Sequence, residues 1–245
     1  MPYTLFAIVV YLMTCVIVLP TLIIMSQRKS WHPAALRFHE WWAHVYFSII
    51  FMPVEIVGKE KLEKNGQYIF CCNHFSFLDI PAFYLLYNPK FIGKRSLTKI
   101  PLFGYFFKKI HIPVDRTSPR SRAESFHKSE QAIREGYSLA FFPEGGIVVK
   151  EKDLPYMNSF KDGAFRLAIE KQVALVPLTM PNNFLILADK SPIRFRRLSL
   201  KIIVHDPIPA GMYTEATLPA FKKHVYEEIQ SELLKHHPDK VRPVV

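Results

Sequence analysis

The residues with chemistry in them lie in Asn73-His74-Phe75-Ser76-Phe77-Leu78-Asp79, where a histidine and a carboxylate stand five positions apart behind a short apolar run over 68–72. On a regular helix, residues five apart point about 140° away from each other. Contact between the two side chains therefore requires His74 at a strand-to-helix corner and Asp79 one turn into the helix. There the carboxylate can accept a hydrogen bond from one ring nitrogen, which fixes the tautomer and leaves the other nitrogen free to take a proton. Such a pair can activate a hydroxyl as a nucleophile. Farther on, Phe141-Phe142-Pro143-Glu144-Gly145 ends a candidate strand with a carboxylate and a glycine turn, and Val176-Pro177 ends another. No G-x-S-x-G, Walker or Rossmann fingerprint is present, which argues against an α/β-hydrolase, an NTPase and a dinucleotide enzyme.

These residues need a scaffold, and the pattern from Gly58 onward supplies one. Short apolar runs at 68–72, 91–93, 110–114, 139–142, 174–180 and 198–205 read as strands. Between them, Ser121-x-x-Glu124 predicts a capping box opening a helix that Gly136 closes, and 162–171 is a second helical stretch. Leu218, Phe221, Val225, Ile229 and Leu233 recur at spacings of three and four, the signature of an amphipathic helix. The alternation predicts an α/β fold, a central mostly parallel or mixed sheet flanked by helices. With no internal repeat or long linker, 58–245 reads as one domain.

Residues 1–57 differ in kind. They hold only five charged residues (Arg28, Lys29, Arg37, Glu40, Glu55), whereas the 245-residue chain as a whole carries a formal net charge of +11. Residues 5–25 are uncharged and apolar, followed rather than preceded by Arg28 and Lys29, so the run reads as a retained membrane helix with those cations on the cytoplasmic side. Residues 33–51 predict a second helix, and Trp31, Trp41 and Trp42 favour the headgroup boundary. The pair could form a hairpin set into one leaflet, or one helix could span while the other lies flat. Residues 90–122 hold nine basic residues, Lys94 and Arg116 among them, against Asp115 alone. Inside this stretch Phe103, Phe106 and Phe107 form an apolar wedge between Lys99 and Lys108-Lys109, a combination suited to an anionic lipid surface. No nucleic-acid-binding signature accompanies the charge. Three cysteines, with Cys71 and Cys72 adjacent, give neither a disulfide framework nor metal-ligand spacing, so no metal is expected.

Four blocks in order, Asn73-His74-x-Ser76-x-x-Asp79, Lys94 through Pro101 with Gly104 and Ile112-Pro-Val-Asp-Arg116, Phe142-Pro143-Glu144-Gly145, and Val176-Pro177-Leu178, resemble those of the glycerolipid acyltransferases typified by 1-acyl-sn-glycerol-3-phosphate acyltransferase. The resemblance covers residues 67–182. It implies an acyl-CoA or acyl-carrier-protein donor as co-substrate with no cofactor, a lysophospholipid acceptor, and an N-terminal motif at the phospholipid bilayer. The implied reaction is transfer of the acyl group to the sn-2 hydroxyl of lysophosphatidic acid, giving phosphatidic acid. His74 is the expected base, Asp79 its orienting partner, and Arg116 the phosphate ligand. Glu144 is expected to bind the glycerol or position Arg116, and backbone N–H groups near the motif to hold the oxyanion. Lys94, Gly145 and Gly146 are expected at the acceptor, with Asn73, Ser76, Pro143 and Pro177 supporting the motifs. One departure stands out: the family's Glu-Gly-Thr-Arg reads Glu144-Gly145-Gly146-Ile147 here, so Lys150 is a candidate to reach back and replace the lost cation. Other lysophospholipid or lyso-aminolipid acceptors fit the same pattern. A non-catalytic peripheral lipid-binding protein is the reading that a wide separation of His74 from Asp79 would favour.

Overall fold

The computed structural model describes residues 2–147, 154–188 and 192–240. Seven strands, β1 (Val54–Val57), β2 (Ile69–Cys72), β3 (Lys90–Lys94), β4 (Ile112–Val114), β5 (Leu139–Phe141), β6 (Leu175–Thr179) and β7 (Leu200–Val204), form one sheet in the order β1-β7-β6-β2-β5-β3-β4. All neighbouring pairs are parallel except β6 with β7, so the sheet is mixed. Every residue of β2 and β6 is buried, as expected of central strands covered on both faces.

Eight α-helices surround it: α1 (Pro2–Met25), α2 (His32–Ile49), α3 (Asp79–Phe83), α4 (Phe103–Ile110), α5 (Pro119–Arg134), α6 (Gly163–Lys171), α7 (Asn183–Ile186) and α8 (Leu218–His236). One core layer joins Leu22, Phe47, Phe83 and Ile110 to Phe70 and Val176 of the sheet; the other joins Ile133, Leu167 and Leu233 to Ile69 and Leu175. All five periodic residues of α8 are buried.

Several boundaries differ from the sequence expectation. The strand expected at 110–114 begins at Ile112, because Ile110 closes α4 and packs fully buried. Helix α5 starts before Ser121: Ser118 is its N-cap, accepting the Ser121 N–H at 3.2 Å, and Pro119 supplies the φ that the first helical turn requires. Ser121 Oγ instead accepts the Asp115 N–H at 2.9 Å, and Glu124 pairs with Arg95 and Lys128. Strand β1 lies within the segment whose composition set it apart, so the sheet takes in residues 54–57.

Helix α1 has 24 residues, a length of about 36 Å at 1.5 Å per residue. Among the described residues it is the one helix long and apolar enough to cross a membrane. Ala7, Val18 and Leu22 are buried in the core, while Leu5, Leu12, Met13, Val16 and Ile17 are exposed. The aromatic residues expected at the membrane divide. Trp31 and Trp41 are exposed and Phe103 is half-buried, but Trp42, Phe106 and Phe107 are buried and do not face a membrane. Trp42 donates to Thr14 Oγ1 at 3.1 Å and stacks on Tyr46, while Phe106 packs on His39 and His111. Phe107 fills the space over Gly93. Composition marks such residues as amphipathic without telling inward from outward. Gly104 is needed where it stands, since a Cβ there would come within 2.3 Å of the Thr98 carbonyl oxygen.

Candidate active site

Strands β2, β5, β3 and β4 run parallel, so their carboxyl ends open on one edge of the sheet, where open α/β sheets bind ligands. His74 follows β2, Glu144 follows β5, Lys94 ends β3 and Arg116 follows β4. Topology thus gathers four of the expected site residues at one rim.

The corner after β2 is tightly specified. Asn73 clips β2 to the end of β6: its Oδ1 accepts the Met180 N–H at 2.8 Å and its Nδ2 donates to the Met180 carbonyl at 3.1 Å. His74 Nδ1 lies 2.9 Å from Asp79 Oδ2. Asp79 is the first residue of α3 rather than one turn in, which brings its carboxylate back onto the corner. The same Oδ2 accepts the Phe75 and Ser76 N–H groups at 2.9 and 3.0 Å, while Oδ1 accepts from Asn183 Nδ2 at 2.8 Å. Four donors thus meet on a fully buried carboxylate. A carboxylate offers only acceptors, so His74 Nδ1 carries a hydrogen, and in the neutral ring the lone pair is then on Nε2. The ring is stacked on Phe142 with centroids 4.0 Å apart, and its Nε2 has no partner among the described residues. Ser76 closes the corner by donating to the Leu187 carbonyl at 2.6 Å.

Glu144 holds the other side. It accepts the His74 N–H at 2.8 Å and the Asn158 N–H at 2.9 Å, which ties the His74 peptide to the loop after β5. Burial pushes its carboxyl up to about 8, against the pull of those two hydrogen bonds. Both oxygens are thus engaged with backbone, and none of the described bonds to Glu144 comes from Arg116. The N–H groups of His74, Phe75 and Ser76 all have acceptors, so they are not the oxyanion donors anticipated near the motif.

Arg116 reaches the glycine turn: its Nη1 lies 3.9 Å from the positions that a Cβ on Gly145 or Gly146 would occupy. Burial lowers its pKa. Lys94 is exposed at the end of β3, and Lys150 lies outside the described residues. Pro143 supplies the carbonyl that accepts the Lys161 N–H at 2.8 Å, and the Pro177 carbonyl accepts from the His205 N–H. Sequence reasoning missed Asn183, which no periodicity or motif singles out.

The family profile described as Acyltransferase matches residues 53–181, a span that includes His74, Asp79, Arg116 and Glu144. The chain belongs to the acyltransferase family. This acyltransferase is 32% identical over 182 residues to the chloroplastic 1-acyl-sn-glycerol-3-phosphate acyltransferase of Arabidopsis thaliana, covering 72% of this chain and 50% of that one. It is 30% identical to a 1-acyl-sn-glycerol-3-phosphate acyltransferase of Chlamydomonas reinhardtii, covering 75% of this chain and 55% of that one. The chain therefore spans about half the length of these relatives. The crystal structure of the 1-acyl-sn-glycerophosphate acyltransferase from Thermotoga maritima superimposes with a TM-score of 0.74 over 96% of this chain and 93% of that one, at 22% identity. The acyltransferase shares that fold.

Proposed function

We propose that the acyltransferase moves a fatty acyl group from an acyl-CoA or acyl-carrier-protein thioester to the sn-2 hydroxyl of lysophosphatidic acid. The observation that carries this reading is the 2.9 Å contact of His74 Nδ1 with a fully buried Asp79, which leaves Nε2 open at the rim that also holds Arg116. His74 Nε2 takes the hydroxyl proton as the oxygen attacks the thioester carbonyl. The carbon–sulfur bond then breaks, and the imidazolium returns the proton to the departing thiolate. Asp79 stabilises the imidazolium between these steps, so no covalent enzyme intermediate is needed. Arg116 binds the acceptor phosphate with charge-assisted hydrogen bonds. The names of the relatives support the same acceptor. The test is an assay of the purified protein with defined donors and acceptors. Arg116→Ala should raise the KM for lysophosphatidic acid at least tenfold with the donor's KM little changed. An inert wild type on lysophosphatidic acid, with turnover of a phosphodiester or aminolipid acceptor, would move the activity to another acceptor class.

The acceptor's tail stays in the bilayer, so the rim must sit at headgroup level. Helix α1 is held to the rest of the protein near both ends: Tyr3 Oη donates to the Ile50 carbonyl at 3.0 Å, and Gln27 Oε1 accepts from Tyr105 Oη at 3.0 Å. This supports a helix lying along one leaflet with its exposed apolar face in lipid, Arg28, Lys29, Lys108 and Lys109 facing anionic headgroups on the cytoplasmic side. The double variant Leu12→Glu/Val16→Glu should leave anionic vesicles in a sedimentation assay while the wild type pellets with them. Equal sedimentation of the two proteins would refute the orientation.

A further inference from the structure

The turn at Gly145 and Gly146 carries more positive charge than the four motifs account for. A Cβ on Gly145 would lie 3.9 Å from Arg116 Nη1 and also 3.9 Å from Lys161 Cε. The two cations therefore flank one small space above the turn. Gly145 takes φ +89°, which side chains rarely adopt, so that space stays open.

Lys161 is fixed there by its backbone. Its N–H donates to the Pro143 carbonyl at 2.8 Å, and three residues earlier the Asn158 N–H donates to Glu144. Residues 158–161 thus run beside the turn, next to the peptide that holds the base. The neighbouring carboxylates are committed elsewhere: Asp115 to Thr117, Glu144 to two backbone N–H groups, and Asp162 to Lys222 at 2.7 Å. Among the described residues neither Arg116 nor Lys161 meets a carboxylate. Two cations brought together without a counter-ion, one of them half-buried, call for an anion of more than one charge.

From this juxtaposition we infer that Lys161 is the second ligand of the acceptor's phosphate, taking the place of the arginine that Ile147 replaces and making the site selective for a phosphomonoester over a phosphodiester. The inference rests on the acceptor reading above. A monoester carries about −1.5 to −2 charges at neutral pH and three free oxygens, enough for both cations, whereas a diester carries a single charge. Lysine serves here as a point charge while arginine makes the directed contact.

The experiment compares Lys161→Met, which keeps most of the apolar stem, and Lys161→Arg, which keeps the charge, using lysophosphatidic acid and lysophosphatidylglycerol as acceptors. Lys161 is exposed, and melting curves establish that both variants fold. Lys161→Met should raise the KM for lysophosphatidic acid about tenfold and that for lysophosphatidylglycerol much less, with kcat and the donor's KM little altered. Lys161→Arg should restore the wild-type KM. An unchanged KM for lysophosphatidic acid in Lys161→Met, or an equal rise for both acceptors, overturns the role of Lys161 while leaving the acceptor reading standing. A wild type that does not turn over lysophosphatidic acid overturns both.

Discussion

His74→Ala lowers acyl transfer by at least the roughly 10²–10⁴-fold that a positioned general base supplies, because the carboxylates left at the corner, Asp79 and Glu144, are already engaged by backbone N–H groups. The fold should survive the change. Asp79 keeps the N–H groups of Phe75 and Ser76 and the Asn183 amide as donors, so its buried charge is not orphaned when the imidazole goes. Asn73 still clips β2 to β6, and Glu144 still accepts the N–H of residue 74, since that bond is to the backbone. The variant should therefore melt near the wild-type temperature and sediment normally with vesicles while its initial rate collapses. Turnover near the wild-type rate would sink the proposed mechanism.

The second large effect is expected from Asp79→Asn, and the structure separates its chemical from its structural part. An asparagine carbonyl can replace Oδ2 and keep the three donors that meet there, His74 among them. The new amide nitrogen would face Asn183, whose own Oδ1 is buried without a partner. Flipping the Asn183 amide presents that oxygen as an acceptor, so the substitution is accommodated with the tautomer of His74 preserved. What is lost is the charge that stabilises the imidazolium, and kcat should fall on the order of 10²-fold or more with both KM values little changed. Asp79→Ala is a different experiment. It leaves the Phe75 and Ser76 N–H groups without an acceptor, at about 1–3 kcal/mol each, and the Asn183 amide with only the Met180 sulfur, so it should destabilise the protein as well. A kcat for Asp79→Asn within a few fold of wild type would mean that orientation, not charge, is the contribution of Asp79.

Much of this arrangement was legible in the sequence because its signals are local. The runs that became β2 and β6 are apolar but for Thr179, and the three-and-four spacing from Leu218 to Leu233 needs no tertiary knowledge. The five-residue separation of His74 and Asp79 is also local, and the corner it demanded is present. What stayed hidden depends on distant partners. Asn183 stands 104 residues from the carboxylate it holds, and one asparagine in a polar turn carries no mark of that bond. Glu144 was visible as a strand-end carboxylate, but its commitment to the His74 and Asn158 backbones follows from how β2 and β5 lie side by side. The cap of α5 is Ser118 because the helix begins at the earliest position that Pro119 allows, a competition between two serine signals three residues apart. Trp42, Phe106 and Phe107 went inward because α2 and α4 turn those faces to the core, which aromatic content alone does not disclose.

The burial of Ala7, Val18 and Leu22 in the same core as Phe70 and Val176 has a consequence for how this protein is handled. Helix α1 cannot be trimmed as a detachable tether, because removing it opens the sheet's own covering layer and strands Phe195, whose N–H donates to Thr4 Oγ1 at 3.1 Å. Its other face is left to the surroundings, so whatever solvates Leu12 and Val16 is a ligand of the folded state and shifts its stability by mass action. On the proposed orientation in lipid, a melting temperature measured on this protein belongs to the pair of chain and amphiphile. Activity lost on changing detergent then reports unfolding before it reports anything about His74, and the two are told apart by returning the sample to lipid and reading whether the rate comes back.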